Sequence, residues 1–508
     1  MTQETALKKM LSGKNIFLTG AAGTGKTFVL NKFITECESK GLHVLRTAPT
    51  GIASLNLSRS INTLNNSLSI GKTLHTAYNI PIPAYGKSEK DITLSKIPIE
   101  TRLADVIIID EISMCRNDVF EYFAMCINLI KKTLNKNPQI IVCGDFFQLP
   151  PVVPESEKKN LKKFGLDPSG FCFLTPAWNK FKFVFCELTK IYRQDNNDFI
   201  LNLGKLRIGD ISCISYFNNR VASDLPTDCT IICSTNAEAN EINDKHMELI
   251  DGARCAYGCT RTGRVAKEYT VDDTIFLKPG AKIMFTTNDV INQNYQNGTL
   301  GVVMECLDKT ILVKIQNDNI NQDEKIIEVY PYEWKSYKIT ISNGVTSKKE
   351  IGSYKQLPVR LAYAITMHKT QGQTYEKCVI SPNSFAEGQL YVALSRVKGI
   401  DGVYLKDFIL PEYIKTNKIV KEFYLNHKIN IPDWIIEKKK MLKEKTLKKT
   451  PSKTKISRTK NKSKKNVSIK KNAAKTTSKS SQKISSKSTV KSFSKKRPTK
   501  KIVKTSTK

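Results

Sequence analysis

No stretch of about 18 apolar residues occurs in the 508-residue chain, so the sequence offers no membrane span. Residues 1–13 are polar and lysine-bearing, which does not suit a secretory signal. The thirteen cysteines contain no paired Cys-x-x-Cys set. Cys255 and Cys259 are close in sequence, but no second thiol or histidine pair stands near enough to complete a zinc site. Thiols scattered through strand-like and helical runs such as 140–143 read as buried and reduced, as in a cytosolic or nuclear protein. A further absence lies at the C-terminal end. Residues 451–508 hold 21 Lys or Arg and no acid at all.

That imbalance accounts for most of the net charge of +34. Residues 437–450 add seven Lys against two Glu, which leaves +8 on residues 1–436. The body is moderately basic and the tail extremely so. Residues 437–508 are mostly Lys, Ser and Thr with few large apolar side chains, so they cannot build a core and are expected to be disordered. Such a tail should condense on nucleic acid in a salt-dependent way, as a non-specific tether. Its run 495–501 also suits nuclear import, and its many hydroxyls offer sites for a phosphorylation switch.

The motif that organises the chain is Gly20-Ala21-Ala22-Gly23-Thr24-Gly25-Lys26-Thr27, which fits G-x-x-x-x-G-K-[ST]. Residues 15–19 read as a short buried strand before it and 28–37 as the helix after it. The glycines let the backbone wrap phosphates at the positive end of that helix. Lys26 should reach the β- and γ-phosphate oxygens, and the Thr27 hydroxyl should hold Mg²⁺. The loop predicts binding of ATP or GTP.

Further parallel strands are expected at 42–48, 105–109 and 139–143, the second a continuous apolar run behind one acid. The strand at 105–109 delivers Asp110 and Glu111 at its carboxyl end. Adjacent acids there are the expected partners of a phosphate loop, Asp110 for the metal and Glu111 to polarise the attacking water. Gln148, in the run Gly144-Asp145-Phe146-Phe147-Gln148-Leu149-Pro150-Pro151, can hydrogen-bond a γ-phosphate and sense its loss. The polar stretch 56–70 and the proline-bearing stretch 79–101 suggest a small insertion. The loosely alternating stretch 181–188 is taken as the first strand of a second domain. A strand at 230–234 and a helix at 237–250 follow. Short alternating runs from 252 to 357 predict a small antiparallel β insertion. The parallel pattern returns at 358–368 and 377–381, with a helix from 387 and a last strand at 403–405.

The ordered series TGAAGTGKT, APTGIAS, GKTLHT, IIDEISM, GDFFQLPPV, YRQ, AITMHKTQGQT and YVALSRV resembles the Pif-type family of superfamily-one DNA helicases, over residues 3–406. The run 131–138 lacks the glycine pair often seen there, a departure that keeps sister branches such as the Dda-like phage helicases beside the Pif branch proper. The resemblance implies an α/β fold with two RecA-like lobes and ATP and Mg²⁺ between them. The expected parts are a first lobe at 1–178 with its insertion at about 55–101, and a second lobe at 179–251 and 358–436. A β-rich, SH3-like barrel insertion would occupy 252–357, and the basic tail 437–508.

The resemblance also implies site roles. Gln3 looks like the residue that reads adenine, and Arg193 and Arg396 look like the arginines that reach ATP from the second lobe. Thr50, His75 and Thr76 on the first lobe, with His368, Lys369, Thr370 and Gln371 on the second, match strand-gripping segments. Neutral hydroxyls and amides on sugar and phosphate give sequence-independent grip. Tyr78 and Tyr85 are weaker candidates for base-stacking or wedge residues.

The function implied is ATP-dependent 5′-to-3′ translocation on single-stranded DNA and unwinding of forked duplex, in replication, repair or recombination, with the chain monomeric when DNA is absent. Two alternatives stand beside it: an RNA or RNA–DNA hybrid unwinder on the same engine, and an ATPase that remodels nucleic-acid complexes without unwinding. The expected place is the nucleus, or a cytoplasmic replication site if the source is viral.

Overall fold

The computed structural model describes residues 1–427, apart from 52, 55–56, 58–70, 228, 264, 266–270, 288, 290–291, 293, 296–297, 316–324, 343–344 and 371–372. Side chains at 336–342, 345–349 and 368 are also outside that description. The basic tail, most of the stretch 56–70 and Gln371 therefore lie outside the described residues.

Helix α1 (Gln3–Met10) opens the chain, with the Thr2 hydroxyl accepting from the Thr5 amide as its N-cap. A six-stranded sheet follows, made of β1 (Ile16–Gly20), β2 (Val44–Ala48), β3 (Lys72–Thr73), β4 (Val106–Ile109), β5 (Gln139–Cys143) and β6 (Val184–Leu188). The strands lie in the order β3-β2-β4-β5-β1-β6, and every pairing is parallel. All residues of β1, β2 and β4 are buried. Strands covered on both faces need apolar side chains on both, which is why 106–109 reads Val-Ile-Ile-Ile without alternation. Because β5 alone separates β1 from β4, the loops that leave their carboxyl ends open on the same edge of the sheet. Helix α2 (Lys26–Ser39) runs back from the first of these loops, burying Val29, Leu30, Phe33, Ile34 and Cys37 along one face.

The stretch 181–188 does not begin a second domain. Val184–Leu188 is the edge strand of the first sheet, in register with β1 from Ile16–Val184 to Gly20–Leu188. Its loose alternation belongs to a strand with one neighbour and partial cover, so a boundary at 178 falls inside this sheet.

A second parallel sheet has four strands, in the order Ala364–Thr366, Thr230–Cys233, Cys378–Ile380, Val403–Leu405. Helices α3 (Asn197–Arg207) and α4 (Gln389–Leu394) pack on it through Phe199, Leu203, Leu206, Leu390 and Leu394. Between its strands the chain leaves to build antiparallel sheets over a separate core that includes Leu277, Ile283, Phe285, Val303, Val313 and Tyr354. The parallel pattern expected from 358 begins later. Val359–Leu361 pairs antiparallel with Lys282–Phe285 and belongs to the insertion, whereas Ala364–Thr366 belongs to the parallel sheet. Three apolar-flanked residues look alike in either setting.

Helix α5 (Lys418–Asn426) is a second departure from the expected division. It follows the last strand of the second sheet but packs on the first. The Phe423 ring stacks at 4.2 Å on Phe173 and lies 5.5 Å from Phe146, within a cluster that includes Phe17 and Trp178. Truncating Phe423 to alanine is expected to destabilise the protein by about 3–5 kcal/mol, the usual cost of deleting a buried aromatic. Urea denaturation measures it, and a loss under about 1 kcal/mol would place α5 elsewhere.

None of the thirteen cysteines is in a disulfide. Among the described residues, no helix is long and apolar enough to cross a membrane.

Candidate nucleotide and nucleic-acid site

The loop after β1 turns through three glycines with positive φ, Gly20 at 146°, Gly23 at 80° and Gly25 at 80°. Backbone freedom is only part of their use. A Cβ on Gly25 would run into the Gln3 amide, and one on Gly23 would lie 2.8 Å from Arg193 Cβ. The Gln3 Nε2 donates to the Thr24 carbonyl at 3.2 Å, so α1 is fixed against the loop. The Ala22 amide donates to the Tyr391 hydroxyl of α4 at 2.8 Å. Lys26 donates to the carbonyls of Gly20 and Ala21 at 2.8 and 3.1 Å, its ammonium folded over the loop. Thr27 is exposed in the first turn of α2.

Asp110 and Glu111 leave β4 in a tight turn. The Asp110 amide donates to Thr47 O at 2.9 Å, and the Glu111 amide donates to Asp110 Oδ1 at 2.9 Å. Glu111 has φ of 49°, a left-handed conformation uncommon for a residue with a side chain. Burial raises the pKa of both carboxyls. For Glu111 burial and then the Asp110 charge push it up to about 7, against the pull of Lys26 and Arg396. For Asp110 the burial is opposed by the Glu111 amide and by Lys26. Gln148 sits in the loop after β5, 5% exposed, with its amide donating to Asp145 O at 2.9 Å.

Two guanidiniums complete the site from the other side. Arg193 donates to Ser395 O at 3.0 Å, and Arg396 donates to Val392 O at 3.0 Å and to Ser395 Oγ at 3.2 Å. Burial first, and then the nearby Arg396 charge, pull Arg193 down to about 9. Burial also lowers Arg396, with Glu111 the largest opposing charge. Neither guanidinium has a carboxylate hydrogen-bonded to it among the described residues. Buried Arg396 and part-buried Arg193, near each other and beside a lysine on a glycine loop, offer the cationic donors that suit a polyphosphate.

The model of the PIF1-like helicase family matches residues 2–205. The ATP-dependent DNA helicase Pif1 of Psychrobacter sp. (strain PRwf-1) is 30% identical over 472 residues, with 80% of this chain and 67% of that protein covered. The chain belongs to the PIF1-like helicases. Its structure is similar to that of Bacteroides sp Pif1 in complex with ADP-AlF4, with TM-score 0.68, 28% identity, and 84% and 96% of the two chains covered. It is also similar to Pif1 helicase from Bacteroides in complex with ADP-AlF3 and ssDNA, with TM-score 0.60, 29% identity, and 84% and 98% covered.

In this PIF1-like chain the strand-facing candidates divide. Thr50 is partly exposed just beyond β2, its hydroxyl accepting from the Ala53 amide at 3.3 Å. Thr76 is exposed and His75 half-buried, in the short helix Leu74–Tyr78 that follows β3. His75 Nδ1 lies 3.1 Å from Ile80 O, within hydrogen-bond reach of that carbonyl. Lys369 is half-buried, its pKa lowered by burial and then by the charge of Arg360. Thr370 departs from expectation. It is fully buried, and its hydroxyl closes the turn on Met367 O at 2.7 Å, so it shapes the segment from inside. The backbone of His368 lies in the same turn; its side chain is outside the described residues.

Tyr78 is no wedge. It is 1% exposed with its ring edge-on to Phe123 at 5.0 Å. Tyr85 stacks on Phe164 at 5.7 Å, packing its own surface.

Sequence reasoning passed over Tyr391, whose hydroxyl meets the phosphate loop, and Gly388, whose Cβ would strike the carbonyls of Phe147 and Gln148. Both belong to the helix segment that leads to Arg396. The glycine just ahead of that helix was the one available signal; a tyrosine in an apolar helix gave none.

Proposed function

We propose that this chain hydrolyses ATP with Mg²⁺ to move 5′-to-3′ along single-stranded DNA and separate the duplex ahead of it. The observation that carries this reading is the pair of guanidiniums, buried Arg396 and part-buried Arg193, beside a phosphate loop and an acid pair. Lys26, Arg193 and Arg396 neutralise charge on the transferred phosphoryl group, and Gln148 reports its presence. Thr27 and Asp110 offer the hard oxygens that Mg²⁺ takes, and the metal supplies charge to the phosphates. Glu111, next to Asp110, is the carboxylate placed to orient the attacking water. Gln3 reads the adenine edge.

The two parallel sheets act as lobes that approach when ATP is held and part when it is spent. The relatives support the rest: one is named an ATP-dependent DNA helicase, and one solved structure contains ADP-AlF3 with ssDNA. Thr50, His75, Thr76 and Lys369 grip the strand, His368 and Gln371 are proposed to share that role on the strength of the motif alone, and the lysine-rich tail tethers nucleic acid. We place the work in the nucleus, with the chain monomeric when DNA is absent.

The substrate class is tested with forked duplexes whose tracking strand is DNA or RNA, given ATP and Mg²⁺ or ATP and EDTA. The DNA-tracked fork should open in Mg²⁺ and stay closed in EDTA. Preferential opening of the RNA-tracked fork would move the chain to the hybrid-unwinding alternative. ATP hydrolysis without opening of either would favour remodelling.

A further inference from the structure

The loop that carries Gln148 is tied down by side chains that arrive from the far half of the sequence. Asp145 is fully buried, and both its oxygens are taken by Arg207 of α3, Oδ2 by Nε at 2.9 Å and Oδ1 by Nη2 at 2.8 Å. Burial works against the Arg207 charge, and Asp145 more than offsets it, so this guanidinium stays charged. Its plane lies 4.5 Å from the Phe147 ring centroid. Tyr424 of α5 stacks on the other partner of this arrangement, its ring 4.9 Å from Phe147 at an interplanar angle of 19°. The Tyr424 hydroxyl accepts from the Phe146 amide at 3.1 Å, meets Thr19 Oγ1 of β1 at 2.9 Å, and reaches Asp145 Oδ1 at 3.5 Å. On a third side Gly388, at the start of α4, touches the Phe147 and Gln148 carbonyls so closely that no Cβ fits.

We infer that Arg207 and Tyr424 are positioning residues of one relay: Arg207 couples the state of Gln148 to the second sheet through Gln148–Asp145–Arg207, and Tyr424 of α5 holds the same loop against β1 through Phe146 and Thr19. The inference deepens the proposed function and rests on Gln148 as the γ-phosphate sensor. Its physical basis is where each end is anchored. Asp145 and Phe146 leave β5 of the first sheet. Arg207 ends α3, whose Phe199, Leu203 and Leu206 are in the core of the second sheet. A buried ion pair held by a two-point fork has one good geometry, so a shift of Gln148 cannot be absorbed locally. It either moves α3 or breaks the pair. Tyr424 adds the phosphate-loop strand to the same node through Thr19, so the sensor and the start of the phosphate loop shift against one fixed hydroxyl. For a protein that needs only stability, apolar side chains would fill this space as well. A two-point fork across two sheets instead fixes register between them.

The test uses the full chain and three variants. Tyr424→Phe removes the hydroxyl and keeps the ring on Phe147. Arg207→Lys keeps the charge and loses the fork. Gln148→Ala removes the sensor itself. For each, thermal melting, the KM for ATP on saturating single-stranded DNA, and base pairs opened per ATP hydrolysed on a 5′-tailed duplex are recorded. The relay predicts cooperative melting and an ATP KM within about threefold of wild type for Tyr424→Phe and Arg207→Lys. It also predicts base pairs opened per ATP down by about tenfold, the range of ordinary inter-site coupling. The double variant should lose little more than either single one, because the residues act as one unit.

Wild-type yield per ATP in both single variants, with Gln148→Ala impaired, would overturn the relay and leave the sensor standing. Lost yield that tracks a lost melting transition in both would also overturn it, since the residues would then only support the fold. A Gln148→Ala chain that matches wild type would instead refute the sensor reading on which the relay rests.

Discussion

Lys26→Ala is expected to lower DNA-stimulated ATP turnover by about a thousandfold, with the melting temperature unchanged. The size follows from the step. Removing one preorganised donor from a developing oxyanion lowers kcat by about 10²–10³, and an ammonium aimed at phosphates does at least that. The fold should not notice, because among the described residues the Lys26 ammonium bonds only the carbonyls of Gly20 and Ala21 in its own loop. Duplex opening should vanish with turnover. A variant that kept turnover within a few-fold of wild type would mean that the glycine loop does not hold the reacting phosphate.

Arg396→Ala should lose about 10³-fold or more in kcat, on the scale of an arginine that stabilises transferring phosphate, while the KM for ATP changes far less. That loss corresponds to about 4 kcal/mol of transition-state stabilisation. Arg396 is 3% exposed, and its electrostatic partners include Glu111 rather than a bonded carboxylate. Arg396→Lys should rescue little. Lysine keeps the charge but cannot bond Val392 O and Ser395 Oγ while presenting a planar fork to phosphate. Pre-steady-state mixing separates the steps: ATP should bind, and the chemical burst should disappear. A raised KM with kcat unchanged would make Arg396 a binding residue only.

The parts of the site legible in the sequence were those whose chemistry forces local spacing. A phosphate loop needs glycines a fixed distance from Lys26, and an acid pair needs an apolar strand to deliver it, so Gly20 to Thr27 and Asp110–Glu111 announce themselves. The residues that escaped act across the fold. Arg207 ends an ordinary amphipathic helix, and nothing in its neighbourhood shows that Asp145 awaits it 62 positions earlier. Tyr424 lies beyond the last motif, in a helix whose spacing says only that one face is buried.

Sheet membership was equally hidden. The stretches 184–188 and 359–361 have the composition of strands, but which neighbour a strand chooses is settled by long-range pairing that no local window contains. Thr370 was misread for the opposite reason. It stands in a run that resembles a strand-gripping motif, and the turn it closes on Met367 points its hydroxyl inward.

The central claim is directional unwinding driven by ATP, and two tailed duplexes test it most directly. One carries a 5′ single-stranded overhang and the other a 3′ overhang, each with ATP and Mg²⁺. The account predicts that the 5′-tailed duplex opens and the 3′-tailed one stays closed, with both closed in Lys26→Ala. Opening of the 3′-tailed duplex in preference would contradict the direction. Failure of both to open while DNA-stimulated ATP hydrolysis persists would contradict unwinding itself.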